Sequence, residues 1–267
     1  MKKTVSTNSV SLQYTITGKG FPIVLIHGFG EDSSVFSNQL SFLKDHCTLI
    51  IPDLAGTGNS VYTDKENTLS IESMAADIQA LLAAEKIDSC IVLGHSMGGY
   101  ITLAFAEAYP QYLKAFGLIH SSAYADNEEK KKNRSKSIEI IGEYGGYAFL
   151  KNTIPNLFGE DFKEEAPEII ATQIEKSKSF SNKALQQYTH AMMLRPDRSD
   201  VLKNTSVPVL MIGGTEDIAA PIDDVKAQSK LNDHIELDIL EGVGHIGMLE
   251  AADQVNRILL HFIQQKQ

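Results

Sequence analysis

Short runs of apolar, often β-branched residues alternate along this chain with longer segments in which apolar residues recur every three or four positions. The short continuous runs predict buried strands, and the longer spacing predicts amphipathic helices. The predicted strands cover residues 10–17, 23–26, 49–51, 91–93, 115–119, 207–212 and 235–240. Most of these runs are apolar throughout, which is typical of parallel strands covered on both faces. The alternation therefore predicts an α/β fold, with a mostly parallel sheet and helices on both faces.

One long segment interrupts this alternation. Residues 122–198 have the apolar spacing of helices but no convincing strand, so we expect a helical cap inserted into the sheet domain. The chain then divides into a first core segment (1–121), the cap (122–198) and a second core segment (199–267). Within the cap, the dense charges of residues 126–136 predict a solvated helix face.

Composition narrows the possible partners. The 267 residues suffice for one large α/β domain with an insertion, and their formal net charge is −10. Phosphate backbones and anionic lipids repel an acidic chain, so neither nucleic acid nor a membrane is expected as a partner. There are two cysteines, no apolar segment after the basic start, and no run of about 18 apolar residues. These features predict a cytoplasmic protein without a disulfide framework, and they leave monomer and homodimer open.

A candidate nucleophile follows the strand at 91–93. Residues 94–98 read Gly-His-Ser-Met-Gly, which matches the Gly-x-Ser-x-Gly turn that lifts a serine off the end of a strand. Composition alone gives odds of about one in ten for such a match, and a glycine-rich packing turn is the alternative. The preceding apolar strand and the following helix pattern favour Ser96 as nucleophile. The backbone N–H of Met97, at the helix start, would then face a substrate oxyanion.

The base and the acid are sought on loops that follow strands, because ligands bind at the carboxyl edge of such sheets. Of the eight histidines, His245 lies between the last strand and the last helix, and we predict it as the base. His120 also ends a strand and could line the pocket. Asp217 follows the strand at 207–212 and is the predicted acid, which would orient the imidazole. The nearby alternatives for the acid are Glu216, Asp223 and Asp224.

These segments resemble the α/β-hydrolase superfamily, in its cap-bearing serine esterase-like branch. Residues 22–30 look like the oxyanion segment, 52–60 like the structural loop after the fourth strand, and 94–99 like the elbow; 214–217 and 244–250 look like the acid turn and the histidine loop. The resemblance implies an eight-stranded sheet with the cap between its sixth and seventh strands. It also implies that Phe29 supplies the second oxyanion N–H. The chain departs from the family at Phe36, where tryptophan is common, and at Ala251-Ala252, where a proline is common after Glu250.

The predicted chemistry is a two-step acyl transfer that needs no cofactor. Walker, Cys-x-x-Cys and His-Glu-x-x-His motifs are absent, and the Gly-x-Gly-x-x-Gly match at 242–247 lacks the rest of a βαβ unit, so neither nucleotide nor metal is expected. The substrate would be a small-molecule acyl compound, foremost a small to medium carboxylic ester. The open alternatives are a thioester, a lactone or a carbon–carbon bond, haloperoxidase or perhydrolase chemistry, and a slow-turnover signalling sensor.

The cap would supply the walls of the substrate pocket. Its candidate lining residues are Phe149, Leu157, Met192 and Met193, beside Leu150 and Phe158. Packing within the cap core is an equally good interpretation for each of them. Two adjacent methionines are flexible enough to adapt to varied substrates.

Overall fold

A single mixed sheet organises the molecule, for which a computed structural model describes residues 1–7, 10–63 and 69–266. Its strands are β1 (Lys2–Ser6), β2 (Val10–Gly18), β3 (Pro22–Ile26), β4 (Thr48–Pro52), β5 (Val61–Tyr62), β6 (Cys90–His95), β7 (Leu113–Ile119), β8 (Val209–Gly214) and β9 (Ile235–Leu240). All seven strands predicted from apolar runs are present. Strands β1 and β5 were missed, because β1 is largely polar and β5 has only two residues.

The strand order confirms a mostly parallel sheet. Eight strands follow one path, β1-β2-β4-β3-β6-β7-β8-β9, and β5 pairs with β2 beside it as a ninth. Strands β1 and β2 are antiparallel to their neighbours, whereas every pair from β4 to β9 along the path is parallel. Every residue of β6 and β8 is buried, so helices cover both faces at the centre of the sheet.

Twelve α-helices connect or cover the described strands. They are α1 (Ser37–Leu43), α2 (Ile71–Ala84), α3 (Met97–Ala108), α4 (Glu128–Tyr144), α5 (Gly146–Thr153), α6 (Glu160–Glu165), α7 (Pro167–Lys176), α8 (Asn182–Leu194), α9 (Ser199–Asn204), α10 (Ile222–Ser229), α11 (Gly247–Glu250) and α12 (Ala252–Lys266). Helix α2 begins at a capping box made by Ser70 and Ser73 and packs on α3, while α1 packs on α12. Among the described helices, none combines the length and the apolar character that crossing a bilayer requires.

The segment between β7 and β8 carries helices α4 to α9 and no strand within the described residues. Helix α4 packs along α8, and most of its charged residues are exposed. The expected solvated face is wrong for Asp126, which is 4% exposed. This carboxylate forms ion pairs with Arg134 and Arg195, whose charges offset the cost of its burial. The cap boundaries at 122 and 198 stay a prediction.

Candidate active site

The turn between β6 and α3 holds Ser96 in a conformation that few side chains adopt. Its backbone has φ 51° and ψ −116°, in the left-handed half of conformational space. The glycines on either side make the turn possible. A Cβ atom at Gly94 would collide with the carbonyl of Gly98, and a Cβ atom at Gly98 would collide with the carbonyl of Ile26. The strained turn leaves Ser96 partly exposed at the carboxyl end of β6.

Three loops at the same sheet edge bring Ser96, His245 and Asp217 into one hydrogen-bonded row. His245 Nε2 lies 2.8 Å from Ser96 Oγ. On the other side of the ring, His245 Nδ1 lies 2.9 Å and 2.8 Å from the two carboxylate oxygens of Asp217. These residues follow β6, β9 and β8, whose parallel register places their carboxyl ends together. The arrangement has the geometry of a nucleophile, a base and an orienting acid.

The loop after β8 selects Asp217 over its acidic neighbours. Its Oδ1 also accepts hydrogen bonds from the backbone N–H groups of Ala219 and Ala220, both at 2.9 Å. Glu216 turns the other way and accepts a hydrogen bond from the backbone N–H of Glu160 at 2.8 Å. The remaining alternatives, Asp223 and Asp224, lie in the first turn of α10.

Electrostatics within the row favours a charged acid beside a basic imidazole. Burial alone would raise the pKa of Asp217, but the charge of His245 and the hydrogen bonds from His120 and His245 hold it far below its usual range. Burial alone would lower the pKa of His245, but the charge and hydrogen bond of Asp217 raise it above its ordinary value. His245 is therefore a stronger base than a free histidine.

The two predicted oxyanion donors lie on separate backbone segments beside Ser96. Met97 is the first residue of α3, where N–H groups lack partners within the helix. The turn that carries Phe29 is close enough for a Cβ atom on Gly28 to lie 3.0 Å from Ser96 Cβ. Neither the N–H of Phe29 nor that of Met97 has an acceptor among the described residues. Both groups remain available to a substrate oxygen.

A buried glutamate that sequence reasoning missed holds the oxyanion turn against the histidine loop. Glu31 Oε2 accepts a hydrogen bond from the Gly28 N–H at 2.8 Å and lies 2.9 Å from His95 Nδ1. The other ring nitrogen of His95 lies 2.8 Å from the carbonyl oxygen of His245. Burial works against the Glu31 charge, but His95 and the Gly28 N–H keep the pKa of Glu31 below its ordinary value. Its position after the predicted oxyanion segment was the available signal.

His120 does not line the pocket as expected from its place at the end of β7. It is 0% exposed, and its Nδ1 lies 3.2 Å from Asp217 Oδ2. Together with Asp217 and His245, it forms the one group of described residues whose potential metal-ligand atoms lie within 4.8 Å of one another. In the structure these atoms hydrogen-bond to one another, so a metal ion would have to replace the shared protons.

The four predicted cap residues have different surroundings. The half-buried Phe149 packs edge-on against Phe29, with ring centroids 6.3 Å apart. The carbonyl oxygen of Leu157 accepts a hydrogen bond from the His245 N–H at 2.6 Å. Met192 is 3% exposed, and the sulfur of Met193 lies 3.5 Å from the Ser135 hydroxyl on α4. Contacts thus join Phe149 and Leu157 to the site; for the two methionines a place in the pocket stays a prediction.

A second missed residue, Glu250, joins the cap to the histidine loop. Its Oε2 accepts hydrogen bonds from the N–H groups of Gly159 and Gly244, at 2.8 Å and 2.9 Å, and its Oε1 accepts one from Ile246 at 3.0 Å. Burial raises the pKa of this carboxyl group. With the bonds to Leu157 and Glu160, the cap segment 157–160 is tied to both loops that carry the acid and the base.

Comparisons with known proteins agree with this fold. Residues 23–258 match the model of the alpha/beta hydrolase family. Lipase 1 of Psychrobacter immobilis is 28% identical over 88% of this chain and 74% of its own length. Karrikin insensitive 2 receptor CA of Petunia hybrida is 26% identical over 90% of this chain and 91% of its own. Among solved structures, a thermophilic esterase from Thermogutta terrifontis is 26% identical, with a TM-score of 0.93 over 99% of this chain and 98% of that one.

Proposed function

Because the chain belongs to the alpha/beta hydrolase family, we propose that it is a serine hydrolase that cleaves small to medium carboxylic esters through an acyl-enzyme. The observation that carries this proposal is the unbroken hydrogen-bonded row from Ser96 through His245 to Asp217. The similarity to a lipase and to an esterase supports the same reaction class.

The geometry allows each proton transfer to occur at a defined atom. His245 Nε2 takes the proton of Ser96 Oγ as this oxygen attacks the substrate carbonyl. The N–H groups of Phe29 and Met97 bind the oxyanion, and Asp217 stabilises the imidazolium. The proton on Nε2 then passes to the leaving alkoxide, which departs as an alcohol. A water molecule, deprotonated by His245, then attacks the acyl group. As the bond from the acyl carbon to Ser96 Oγ breaks, His245 returns this proton to Ser96 Oγ and the acid is released.

The cap helix over the oxyanion turn supports the proposal that the accepted acyl group is limited in size. Helix α5 carries Phe149, which packs on Phe29, and Leu150, whose side chain would lie 2.6 Å from a Cβ atom on Gly30. An apolar roof therefore covers the turn that carries Phe29, one of the two predicted oxyanion donors. Such a roof favours apolar acyl groups and excludes bulky ones. Cytoplasmic location and the oligomeric state remain predictions from composition.

A signalling sensor is the second candidate, and a specific observation favours it. Karrikin insensitive 2 receptor CA, which matches this chain over 91% of its own length, is named as a receptor. In this chain the backbone N–H of His245 is bonded to the cap at Leu157. A ligand that moved the cap would therefore also move the base. A sensor of this kind would turn over its ligand slowly and change conformation on binding.

The test is hydrolysis of a graded series of p-nitrophenyl acyl esters by the wild type and by Ser96→Ala. We expect turnover that peaks at a short or medium acyl chain and falls by several orders of magnitude in Ser96→Ala. Ser41→Ala, an exposed serine on α1, is the matched control and should retain full activity. Equal rates in the wild type and Ser96→Ala would rule out Ser96 as the nucleophile. If neither cleaves these esters, thioesters, lactones and diketones are the next substrates, and ligand-dependent conformational change tests the sensor.

A further inference from the structure

Asp217 is held between two histidines, and the proposed reaction uses only one of them. His245 contacts both carboxylate oxygens from the loop after β9. His120 approaches Oδ2 from the end of β7, at 3.2 Å. The two imidazole rings lie edge to face, with centroids 6.1 Å apart. The acid therefore has a second, fully buried partner that does not contact the nucleophile.

The surroundings of His120 fix its protonation state. Nδ1 faces an ionised carboxylate, which only accepts hydrogen bonds, so Nδ1 must carry the hydrogen. Nε2 is buried and has no hydrogen-bond partner among the described residues. Protonation there would bury an unpaired N–H and a positive charge. Burial accordingly lowers the pKa of His120 to about 4, against the opposing pull of Asp217. Near neutral pH the ring is uncharged.

The backbone around His120 is shaped to hold the ring in this place. His120 has φ 49°, a left-handed conformation that is uncommon for residues other than glycine, asparagine and aspartate. Its N–H donates to the carbonyl of Ile212 on β8 at 2.8 Å. A Cβ atom on Gly247 would overlap Nε2, so the glycine leaves room for the ring. Strain of this kind persists only where neighbouring contacts enforce it.

We propose that His120 is a positioning residue for the acid of the proposed reaction, acting as a neutral Nδ1–H donor that locks the Asp217 carboxylate in line with His245. Donors then reach both oxygens, from Ala219 and Ala220 on Oδ1 and from His120 on Oδ2. A carboxylate held at both oxygens cannot rotate away from the base. Because the extra donor is uncharged, it does not repel the imidazolium that forms on His245 during turnover.

The donor also tunes the basicity of His245. A hydrogen bond to Oδ2 withdraws part of the negative charge that otherwise acts on His245 alone. The charged or titratable groups that face His245 are Asp217 on the acid loop, Glu31 and His95 beside the oxyanion turn, Glu250 on α11, and His120. His120 itself is faced by Asp217, His245 and His95. Loss of the His120 donor should therefore raise the pKa of His245.

Two substitutions distinguish the effect of the Nδ1–H donor from the effect of the left-handed backbone conformation. His120→Asn retains an N–H donor at the position of Nδ1 and accepts a left-handed backbone. His120→Gly also accepts this backbone but has no donor. His120→Ala is the second donor-free variant if the glycine variant fails to fold. A residue needed only for chain conformation would be replaced equally well by asparagine and by glycine.

The primary measurement is NMR titration of the His245 ring in protein with ¹⁵N-labelled histidine, assigned by comparison with His245→Gln. We expect His120→Asn to titrate like the wild type and the donor-free variant to titrate about 0.5–1 pH unit higher. In the ester assay, the donor-free variant should lose about tenfold in kcat with KM within about threefold, and His120→Asn should retain most activity. Equal His245 titrations in the asparagine and donor-free variants would overturn the proposal. The titration needs no substrate, so it remains decisive even if the wild type cleaves no ester.

Discussion

His245 makes three different contacts, two through its ring nitrogens and one through its backbone N–H. Nε2 faces the nucleophile, Nδ1 faces the acid, and the backbone N–H is bonded to the cap at Leu157. The first two contacts set the proton affinity of the imidazole, whereas the third fixes the position of the backbone that carries it. Activity should therefore respond to pH through this one residue, because Asp217 stays ionised far below neutral pH.

The pH dependence of kcat/KM should reflect the raised pKa of His245. The proposed reaction needs the neutral imidazole, and Asp217 raises the pKa of His245 above its ordinary value of 6.5. Activity should thus fall as the pH drops through a midpoint above 6.5. In Asp217→Asn the acidic limb should move to lower pH and kcat should fall by about 10⁴-fold. Asp223→Asn, an exposed acid on α10, is the matched control. An unshifted limb in Asp217→Asn would contradict this account.

The sequence predicts those candidate residues whose place along the chain is itself the signal. Ser96, Asp217 and His245 each follow a predicted strand, and the structure joins them by hydrogen bonds. Glu31 and His120 were not recognised as partners of the site, because their roles depend on contacts across 64 and 97 residues of chain. No local pattern predicts such contacts, and a histidine at a strand end has the same appearance whether it faces solvent or an acid.

The element that links the cap to the chemistry is the short segment 157–160. It has little regular structure, yet its backbone groups bond to His245, Glu216 and Glu250. Close approach is possible because two glycines face each other there. A Cβ atom on Gly244 would lie 2.6 Å from the N–H nitrogen of Gly159. The cap is therefore joined by hydrogen bonds to the loops that carry Asp217 and His245 at this short segment.

Glu250→Gln should loosen this connection. The carboxylate accepts three backbone N–H groups, whereas an amide offers one oxygen and turns an N–H₂ group toward the remaining donors. We expect a loss of about 1–3 kcal/mol in the free energy of unfolding. Amide hydrogen exchange should become faster at residues 157–160 and 244–250. The control is Glu241→Gln, an exposed glutamate at the start of the loop between β9 and α11. Unchanged exchange in Glu250→Gln would show that the segment is held by packing alone.

Apolar periodicity predicted the core elements far better than the cap. Continuous apolar runs such as 23–26 and 91–93 predict buried strands, and the sheet buries both of them. The cap helices α4 and α8 are more polar than the core helices α2 and α3, so their spacing predicts helices without predicting where they dock. Asp126 illustrates the limit, since a charge within a charged run appears solvated until Arg134 and Arg195 are known to surround it.

At the scale of the whole molecule, buried ionisable groups at the sheet edge make stability depend on pH. His120 has a pKa of about 4 in the folded chain, below the 6.5 of an unfolded histidine. As the pH falls through this window, the unfolded chain takes up the proton first, so stability is lost between these two values. His245 has the opposite sign, because its raised pKa favours the folded state as the pH falls through the window above 6.5.

His120→Asn should remove the first of these contributions. Between pH 7 and pH 4 the unfolding free energy of the wild type should fall by about 3 kcal/mol more than that of the variant, because only the wild type has His120. Denaturant unfolding of both proteins across this pH range measures the difference in their unfolding free energies. The contributions of His245 and of the carboxylates are common to both proteins and cancel in this difference. A difference in unfolding free energy that stays constant with pH would contradict the burial of a neutral His120.

The order of the active residues along the chain has a consequence for synthesis on the ribosome. Ser96 precedes His245 by 149 residues, and the whole cap is made between them. At about 5–20 residues per second, the base emerges about 7–30 s after the nucleophile. During this interval the nascent chain carries the elbow without a base, and until β8 is made one edge of β7 has no partner strand. The cap helices are therefore synthesised before β8 and β9, and the proposed reactivity is withheld until the last strand and the loop after it are made.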